Sequence, residues 1–322
     1  MASVFSRLSA MSLLLGLVAC GAPGVNNTDA TESKGVKVVT TFLPITLFTE
    51  AVAGDCADVT ALIPPNLGPH DFQATPSDLT DLSGANVLVK NGLGMEEFLD
   101  DLISSADNKD LVVIDSSTGV KTIKAAGGGH HDDHHADEHH DHGHGHSHGE
   151  YDPHIWLDPV RAAQQVENIR DGLVQADPSC AEGYKNNAEQ FTAKLNELNT
   201  EFTAKLKPYN GKTFVAFHDF ATYFANRYGL KAEFLVDLPE MNPSPADLQR
   251  VAAQVKKSGL KALLSEPQEG KRSFNALAKD LGVNIVEFNP LETGSAESAK
   301  VPGTYFEVMR SNVNNLVKAI GD

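Results

Sequence analysis

Three histidines have the residue type and the sequence positions to form a shared metal site. His70 lies in a loop before a predicted helix, His154 lies just before another, and His218 directly follows the predicted strand 213–217. Ligands of parallel α/β sheets bind at the carboxyl ends of strands, where His218 lies. Three neutral imidazoles with an open fourth position form a known zinc arrangement. A single histidine is more often a surface or core residue, but three at element junctions favour a common site.

Ten further histidines occur within one tract of the sequence. They are His130, His131, His134, His135, His139, His140, His142, His144, His146 and His148. Segment 125–150 has no apolar residue larger than alanine, so we expect a disordered loop. Its closely spaced histidines could provide several weak, exchanging metal sites. Fortuitous metal binding by a tolerated tract is the alternative.

The elements that must position the three isolated histidines follow one α/β plan, used twice. In the first half, strands are predicted at 36–42, 57–62, 86–90 and 111–115, and helices at 44–53, 76–83, 95–106 and 158–175. In the second half, strands are predicted at 213–217, 232–236, 261–265 and 283–288, and helices at 219–229, 245–258, 270–281 and 303–320. Strands alternating with helices form parallel sheets. The predicted fold is therefore α/β, with two four-stranded parallel-sheet lobes.

A long helix is predicted between the two halves. Beginning near Ala181, apolar residues recur every three or four positions, at Tyr184, Ala188, Phe191, Leu195, Leu198, Phe202 and Leu206. This is either an ordinary amphipathic helix or a rigid connection between lobes. The predicted domains are a first lobe at 36–178, which includes loop 125–150, a linking helix at 179–209 and a second lobe at 210–322.

The first 35 residues indicate a location outside the cytoplasmic membrane. Residues 1–19 resemble a lipoprotein signal peptide, with Leu17-Val18-Ala19 preceding a lipidated Cys20, and 20–35 is expected to be a flexible tether. An ordinary signal peptide with an incidental cysteine is the alternative. The other two cysteines, Cys56 and Cys180, could pair in such a compartment, although sequence alone does not place them together. The formal net charge of −17 disfavours a nucleic-acid partner.

Six short motifs resemble those of solute-binding proteins of metal ABC importers. They are Pro64-Pro65 with Pro69-His70-Asp71, Pro76-Ser77-Asp78, Asp152-Pro153-His154-Ile155-Trp156-Leu157-Asp158, Phe217-His218-Asp219, Pro243-Ser244-Pro245 and Glu266-Pro267-Gln268. The resemblance covers 36–322 and is to the A-I cluster, which includes the zinc-specific ZnuA type and manganese-binding lipoproteins. It implies two α/β lobes on a long backbone helix, with metal bound between them by His70, His154 and His218.

The resemblance also bears on the choice of metal and on the fourth ligand. Manganese-type relatives carry a carboxylate where this chain has His218, and nitrogen donors suit zinc better. Relatives often have Asp-Pro-Leu where this chain has Asn289-Pro290-Leu291. Because neutral Asn289 is a poor zinc ligand, we expect water in the fourth position. Glu292 would need a shifted loop, whereas Glu240 and Glu266 are expected to hold a histidine tautomer.

The function expected from these features is zinc binding and delivery. The chain is expected to be a periplasmic or extracytoplasmic, lipid-anchored, monomeric protein that passes Zn(II) to a membrane ABC permease and catalyses no reaction. It would contact the membrane only through its anchor. One alternative is a zinc hydrolase with Asp71, Asp219 or Glu240 as general base, although no HExxH signature is present. The other is a metal store or chaperone acting through the His-rich loop.

Overall fold

A computed structural model describes residues 35–125, 149–239, 241–267 and 271–321. The predicted signal peptide, the tether with Cys20, and the ten loop histidines lie outside the described residues. The first lobe contains β1 (Val36–Thr40), β2 (Ala57–Ala61), β3 (Val87–Lys90) and β4 (Val112–Asp115), with α1 (Leu43–Ala53), α2 (Pro76–Ser83), α3 (Leu99–Ala106) and α4 (Pro159–Ala176). Its strands are parallel, in the order β2-β1-β3-β4.

The second lobe repeats this arrangement. Its strands are β5 (Thr213–His218), β6 (Lys231–Val236), β7 (Ala262–Ser265) and β8 (Asn284–Glu287), and its helices are α6 (Thr222–Arg227), α7 (Pro245–Ser258), α8 (Lys271–Leu281) and α9 (Thr304–Ile320). The strands are again parallel, in the order β6-β5-β7-β8. The predicted fold class, two four-stranded parallel-sheet α/β lobes, is confirmed.

Between the lobes runs α5 (Ala181–Leu206), a helix of 26 residues, or about 39 Å at 1.5 Å per residue. Its buried face consists of the residues of the predicted apolar stripe, namely Tyr184, Ala188, Phe191, Leu195, Leu198, Phe202 and Leu206. This face packs on α1 and α4 of the first lobe and on α9 of the second. One helix therefore contributes to the cores of both lobes, as a backbone helix should.

Three helices, α2, α4 and α7, begin with a proline and are capped by side chains at their first turn. Before α2, the Asp78 carboxylate accepts the Thr75 N–H at 2.7 Å. Before α7, Ser244 and Asp247 form a reciprocal capping box, each side chain accepting the other's backbone N–H. Asp158 accepts an N–H in the first turn of α4. Such caps satisfy backbone donors that have no partner inside the helix.

Two helices, α3 and α6, begin three or more residues later than the sequence predicts. The segment 95–98, expected to be helical, forms turns before α3, because Gly92, Leu93 and Gly94 all have positive φ and redirect the chain. The segment 219–221 is likewise excluded from α6, where the Asp219 carboxylate accepts the Thr222 hydroxyl at 3.1 Å. Both turns follow the carboxyl end of a central strand, where each sheet changes its winding direction. Ligands of open α/β sheets bind at such points.

A disulfide joins Cys56, just before β2, to Cys180, just before α5. The two Cα atoms lie 6.1 Å apart, and the cysteines are separated by 124 positions in the sequence. This bond fastens the edge of the first sheet to the start of the linking helix. Among the described residues, none of the helices combines the length and apolarity needed to cross a membrane.

Candidate metal centre

Four side chains converge between the lobes, and each lobe contributes two of them. His70 lies between β2 and α2, His154 precedes α4, His218 ends β5, and Glu292 follows β8. One potential ligand atom from each lies within 4.8 Å of the others. The three histidines singled out from the sequence are therefore brought together, and a carboxylate joins them.

Asp152 fixes the ring of His154. Its Oδ1 atom accepts the His154 Nδ1–H at 2.8 Å and the His154 backbone N–H at 2.9 Å. Both side chains are buried. A proton held on Nδ1 by a carboxylate leaves the Nε2 lone pair for a metal. In the sequence, the signal for this role is a carboxylate two residues before the motif histidine.

Glu266 contacts His218 in the same way. Glu266 directly follows β7, and its Oε1 atom lies 2.8 Å from His218 Nδ1 and 3.2 Å from the His218 backbone N. Because β5 and β7 are adjacent in the sheet, the two residues meet at the carboxyl ends of neighbouring strands. Their pairing thus follows from the winding of the second lobe.

The carboxylate of Glu292 faces the Nε2 atoms of all three rings. Its Oε1 atom lies 3.3 Å from His154 Nε2, 3.4 Å from His218 Nε2 and 3.9 Å from His70 Nε2. In a tetrahedral zinc site with bonds of about 2.0–2.1 Å, neighbouring ligand atoms lie ~3.4 Å apart. Two of the three distances match this edge length. His70, with a side chain that is 10% exposed, needs an adjustment of about half an ångström.

The expectation that Glu292 would need a shifted loop is therefore wrong. The loop after β8 is drawn towards the first lobe by two hydrogen bonds: Trp156 Nε1–H donates to the Pro290 carbonyl at 2.8 Å, and the Gly294 N–H donates to the Pro65 carbonyl at 2.6 Å. Between them, Leu291 has a φ of 66°, which turns the chain so that Glu292 points inward. Contacts between distant segments therefore hold this loop against the first lobe.

Asn289 does not join the cluster of potential ligand atoms. The side-chain oxygen of Asn289 accepts the Leu291 N–H at 2.8 Å, so this amide stabilises the turn rather than facing the histidines. Water was expected in the fourth position, but the Glu292 carboxylate lies beside the three imidazoles. Glu240 lies outside the described residues.

The electrostatics of the site follow from the burial of histidines beside carboxylates. Burial alone would lower the pKa of His154, but Asp152 and Glu292 outweigh it and raise that pKa to about 9. Burial is likewise outweighed at His218, where Glu266 and Glu292 hold the pKa well above its usual value. Burial alone would raise the pKa of Glu292, but His218 and His154 hold that pKa well below the ordinary range. In the metal-free protein, protons on two imidazoles therefore balance the buried carboxylates.

Asp71 and Asp219, two of the residues nominated as a general base for hydrolysis, lie in different surroundings. Asp71 is exposed, although it follows His70 in the sequence. Asp219 is buried, and burial together with the nearby Asp152 raises its pKa to about 6. Its carboxylate accepts the Thr222 hydroxyl. Neither residue is among the four whose potential ligand atoms converge, which include the Glu292 carboxylate.

Two α/β lobes joined by a backbone helix, with an interlobe site of three histidines and a carboxylate, define a metal-type solute-binding protein. The family model described as zinc-uptake complex component A, periplasmic (ZnuA), matches residues 38–319. The chain belongs to this family, and the resemblance inferred from its motifs is confirmed.

Individual relatives agree with this assignment. The zinc-binding protein AdcA of Streptococcus pyogenes serotype M3 is 34% identical over 284 residues, which cover 87% of this chain and 55% of that protein. The chain thus spans about half the length of its AdcA relatives. The high-affinity zinc uptake system protein ZnuA of Bacillus subtilis is 32% identical over 301 residues, covering 93% of this chain and 92% of that protein.

A solved structure with the same fold is the Zn(II)-bound ZnuA-like domain of Streptococcus pneumoniae AdcA. The TM-score is 0.73 with 30% sequence identity, and the match covers 89% of this chain and 100% of that chain. The similarity therefore extends over both lobes of the chain and is not confined to the motifs around the histidines.

Proposed function

We propose that this protein binds Zn(II) through His70, His154, His218 and Glu292 and delivers it to a membrane ABC permease. The observation that supports this most strongly is the convergence of one ligand atom from each of these residues within 4.8 Å. Zinc is bound by His nitrogens and carboxylate oxygens in tetrahedral sites. The zinc-binding names of the relatives point to the same metal.

The ligand set favours holding a metal over catalysis. Catalytic zinc sites keep one coordination position for water or substrate, whereas closed sites have four protein ligands. Here Glu292 stands in the position that a hydrolase would reserve for water. Two of the three imidazoles are also oriented in advance by carboxylates, so little ordering is needed when the metal binds.

A titration of zinc into the purified protein tests this function. The wild type and a variant lacking 127–149 should both contain one tight site, and Glu292→Ala and His218→Ala should each weaken it strongly. Exposed Glu287, at the end of β8, provides a matched control: Glu287→Ala should leave the tight site intact. Loss of the tight site in the deletion variant would instead place the main function in the His-rich loop, as expected of a metal store.

Delivery to a permease rests on membership of a family of uptake-complex components. The experiment is uptake of radioactive zinc by cells that contain the partner permease, with and without this protein. Uptake should require the protein and should fail with Glu292→Ala. Equal uptake without the protein would remove the transport role while leaving zinc binding in place.

We also propose an extracytoplasmic location with a lipid on Cys20. The support is the Leu17-Val18-Ala19-Cys20 sequence and a relative of 34% identity over 318 residues, the zinc-binding lipoprotein AdcA of Streptococcus pneumoniae. Mass spectrometry of the native protein should find a lipidated Cys20 at the mature N-terminus. An unmodified N-terminus at another residue would refute this assignment.

The division of the chain into a first lobe at 36–178, a linking helix at 179–209 and a second lobe at 210–322 stays a prediction.

A further inference from the structure

We propose that Tyr223 and Arg227 are positioning residues that fix His154 relative to His218. They lie one turn apart on α6 of the second lobe and contact both ends of segment 152–158 of the first lobe. We call this pair the α6 clamp. The inference rests on the proposed zinc-binding function, because its consequence is a change in how firmly the site holds zinc.

Tyr223 fixes the first end of the segment. Its hydroxyl donates to the Asp152 carbonyl at 2.7 Å and accepts the Ile123 N–H at 3.0 Å. The ring is fully buried, and the Arg161 guanidinium lies 4.7 Å from its centroid. Asp152 is the residue that orients the His154 ring, so the tyrosine holds the backbone of the imidazole's own partner.

Arg227 fixes the second end. Its guanidinium donates two hydrogen bonds to the Asp158 carboxylate, from Nε to Oδ1 and from Nη2 to Oδ2, both at 2.8 Å. Asp158 is fully buried and also accepts a hydrogen bond from Arg161. Planar two-bond pairing of this kind restricts direction as well as distance. The second end of the segment is therefore held in one orientation against α6.

The clamp connects two metal ligands that belong to different lobes. His218 ends β5, and Tyr223 follows it by five positions, so α6 has a nearly fixed relation to the His218 ring. His154 lies between the two clamped ends of segment 152–158. On its other side, the Asn91 amide donates to the Pro153 carbonyl at 3.0 Å, which holds the segment to the first lobe. Trp156, between the clamped ends, also bonds Pro290 of the second lobe, and the clamp holds the segment to that lobe on either side of this contact.

The first experiment measures zinc association and dissociation rates of purified protein lacking 127–149, with a competing chelator in stopped flow. Tyr223→Phe and Arg227→Lys should each raise the dissociation rate about three- to tenfold, the factor corresponding to the net contribution of one hydrogen bond. Association rates should change little, because the four ligands remain. Both substitutions are conservative, and circular dichroism checks that each variant is folded.

Two matched controls separate positioning from a general loss of stability. Tyr228→Phe removes a tyrosine hydroxyl that bonds Asn199 on α5 at 3.3 Å. Arg310→Lys alters an arginine that bonds Glu201 on α5 at 2.8 Å. Neither bond involves segment 152–158, so both controls should release zinc at the wild-type rate.

The second experiment is a double-mutant cycle, which tests whether Tyr223 acts through His154. In a His154→Ala background, adding Tyr223→Phe should cause no further loss of zinc affinity. In a His70→Ala background, the same change should still weaken binding by its full factor. A purely structural role would give equal effects in both backgrounds.

The outcomes distinguish this inference from the function on which it rests. The clamp is supported if zinc release is faster in Tyr223→Phe and Arg227→Lys but not in the controls, and if Tyr223→Phe weakens zinc binding in the His70→Ala background but not in the His154→Ala background. Release at the control rate, or equal effects in both cycle backgrounds, overturns the clamp while zinc binding stands. A wild-type protein without tight zinc binding overturns the proposed function itself.

Discussion

Zinc binding should displace about two protons from the site at pH 7, a number set by the carboxylates around two imidazoles. The pKa of metal-free His154 is about 9, so this ring is about 99% protonated at pH 7. Removing that proton costs ~3 kcal/mol at pH 7, because each pKa unit corresponds to 1.36 kcal/mol. His218 carries the second proton, since its pKa also lies well above the usual value. Apparent affinity should therefore keep rising between pH 7 and pH 9.

The assay is calorimetric titration of zinc at pH 7 in two buffers with different ionisation heats, using protein lacking 127–149. The difference in heat counts the protons released. Thermal unfolding gives an independent check: the raised pKa of His154 stabilises the metal-free protein below about pH 6.5, and this contribution disappears as pH rises through about 9. Zinc-dependent stabilisation should have the opposite pH dependence.

A carboxylate variant tests the cause of this proton release. Glu292→Gln removes one of the charges that raise the pKa of both His154 and His218, so fewer protons should be released, and zinc should bind more weakly. Glu287→Gln neutralises an exposed carboxylate five positions earlier and should match the wild type. Release of less than one proton by the wild type, or an affinity unchanged from pH 7 to pH 9, would refute the reasoning.

Three further predictions concern individual contacts. Asp152→Asn and Glu266→Gln should each weaken zinc about 10- to 100-fold in chelator competition, because these carboxylates hold the ligand tautomers; unchanged affinity would mean that they do not. His218→Glu should lower the zinc-to-manganese affinity ratio in competitive titration, since oxygen donors suit manganese, and an unchanged ratio would mean that His218 is not a ligand. Replacing Cys56 and Cys180 by serine should reduce the free energy of unfolding by about 5 kcal/mol, as expected for a disulfide closing so long a loop. Urea denaturation of the metal-free protein measures this loss, and a loss below about 1 kcal/mol would contradict the loop-closure estimate.

Sequence periodicity predicted the fold class because its signals are local. The apolar stripe from Tyr184 to Leu206 required only the spacing of residues within one helix, and that face is buried as predicted. The β-branched runs of both halves similarly identified the strands. The positions of the motif histidines at element junctions singled out the three imidazoles, and His218 lies at the carboxyl end of β5, where ligands of parallel sheets bind.

Local patterns could not place Glu292 or assign a role to Tyr223. The loop that carries Glu292 is positioned by a bond between Trp156 and Pro290, which are 134 positions apart. The Tyr223 hydroxyl meets the Asp152 carbonyl across 71 positions. Contacts between residues so far apart in the sequence cannot be inferred from local patterns. The sequence around Asn289 therefore predicted water, and not Glu292, as the fourth ligand.

Each lobe contributes two of the four proposed ligands, so a bound zinc ion would bridge the two lobes reversibly. In the zinc-bound protein, each lobe would hold the ion through two coordinate bonds. The relative placement of the lobes would then depend on whether zinc is bound. A membrane partner that grips both lobes could then distinguish loaded from empty protein by their spacing alone, without touching the ion. For the same reason, that partner could release the zinc ion by moving the two lobes apart.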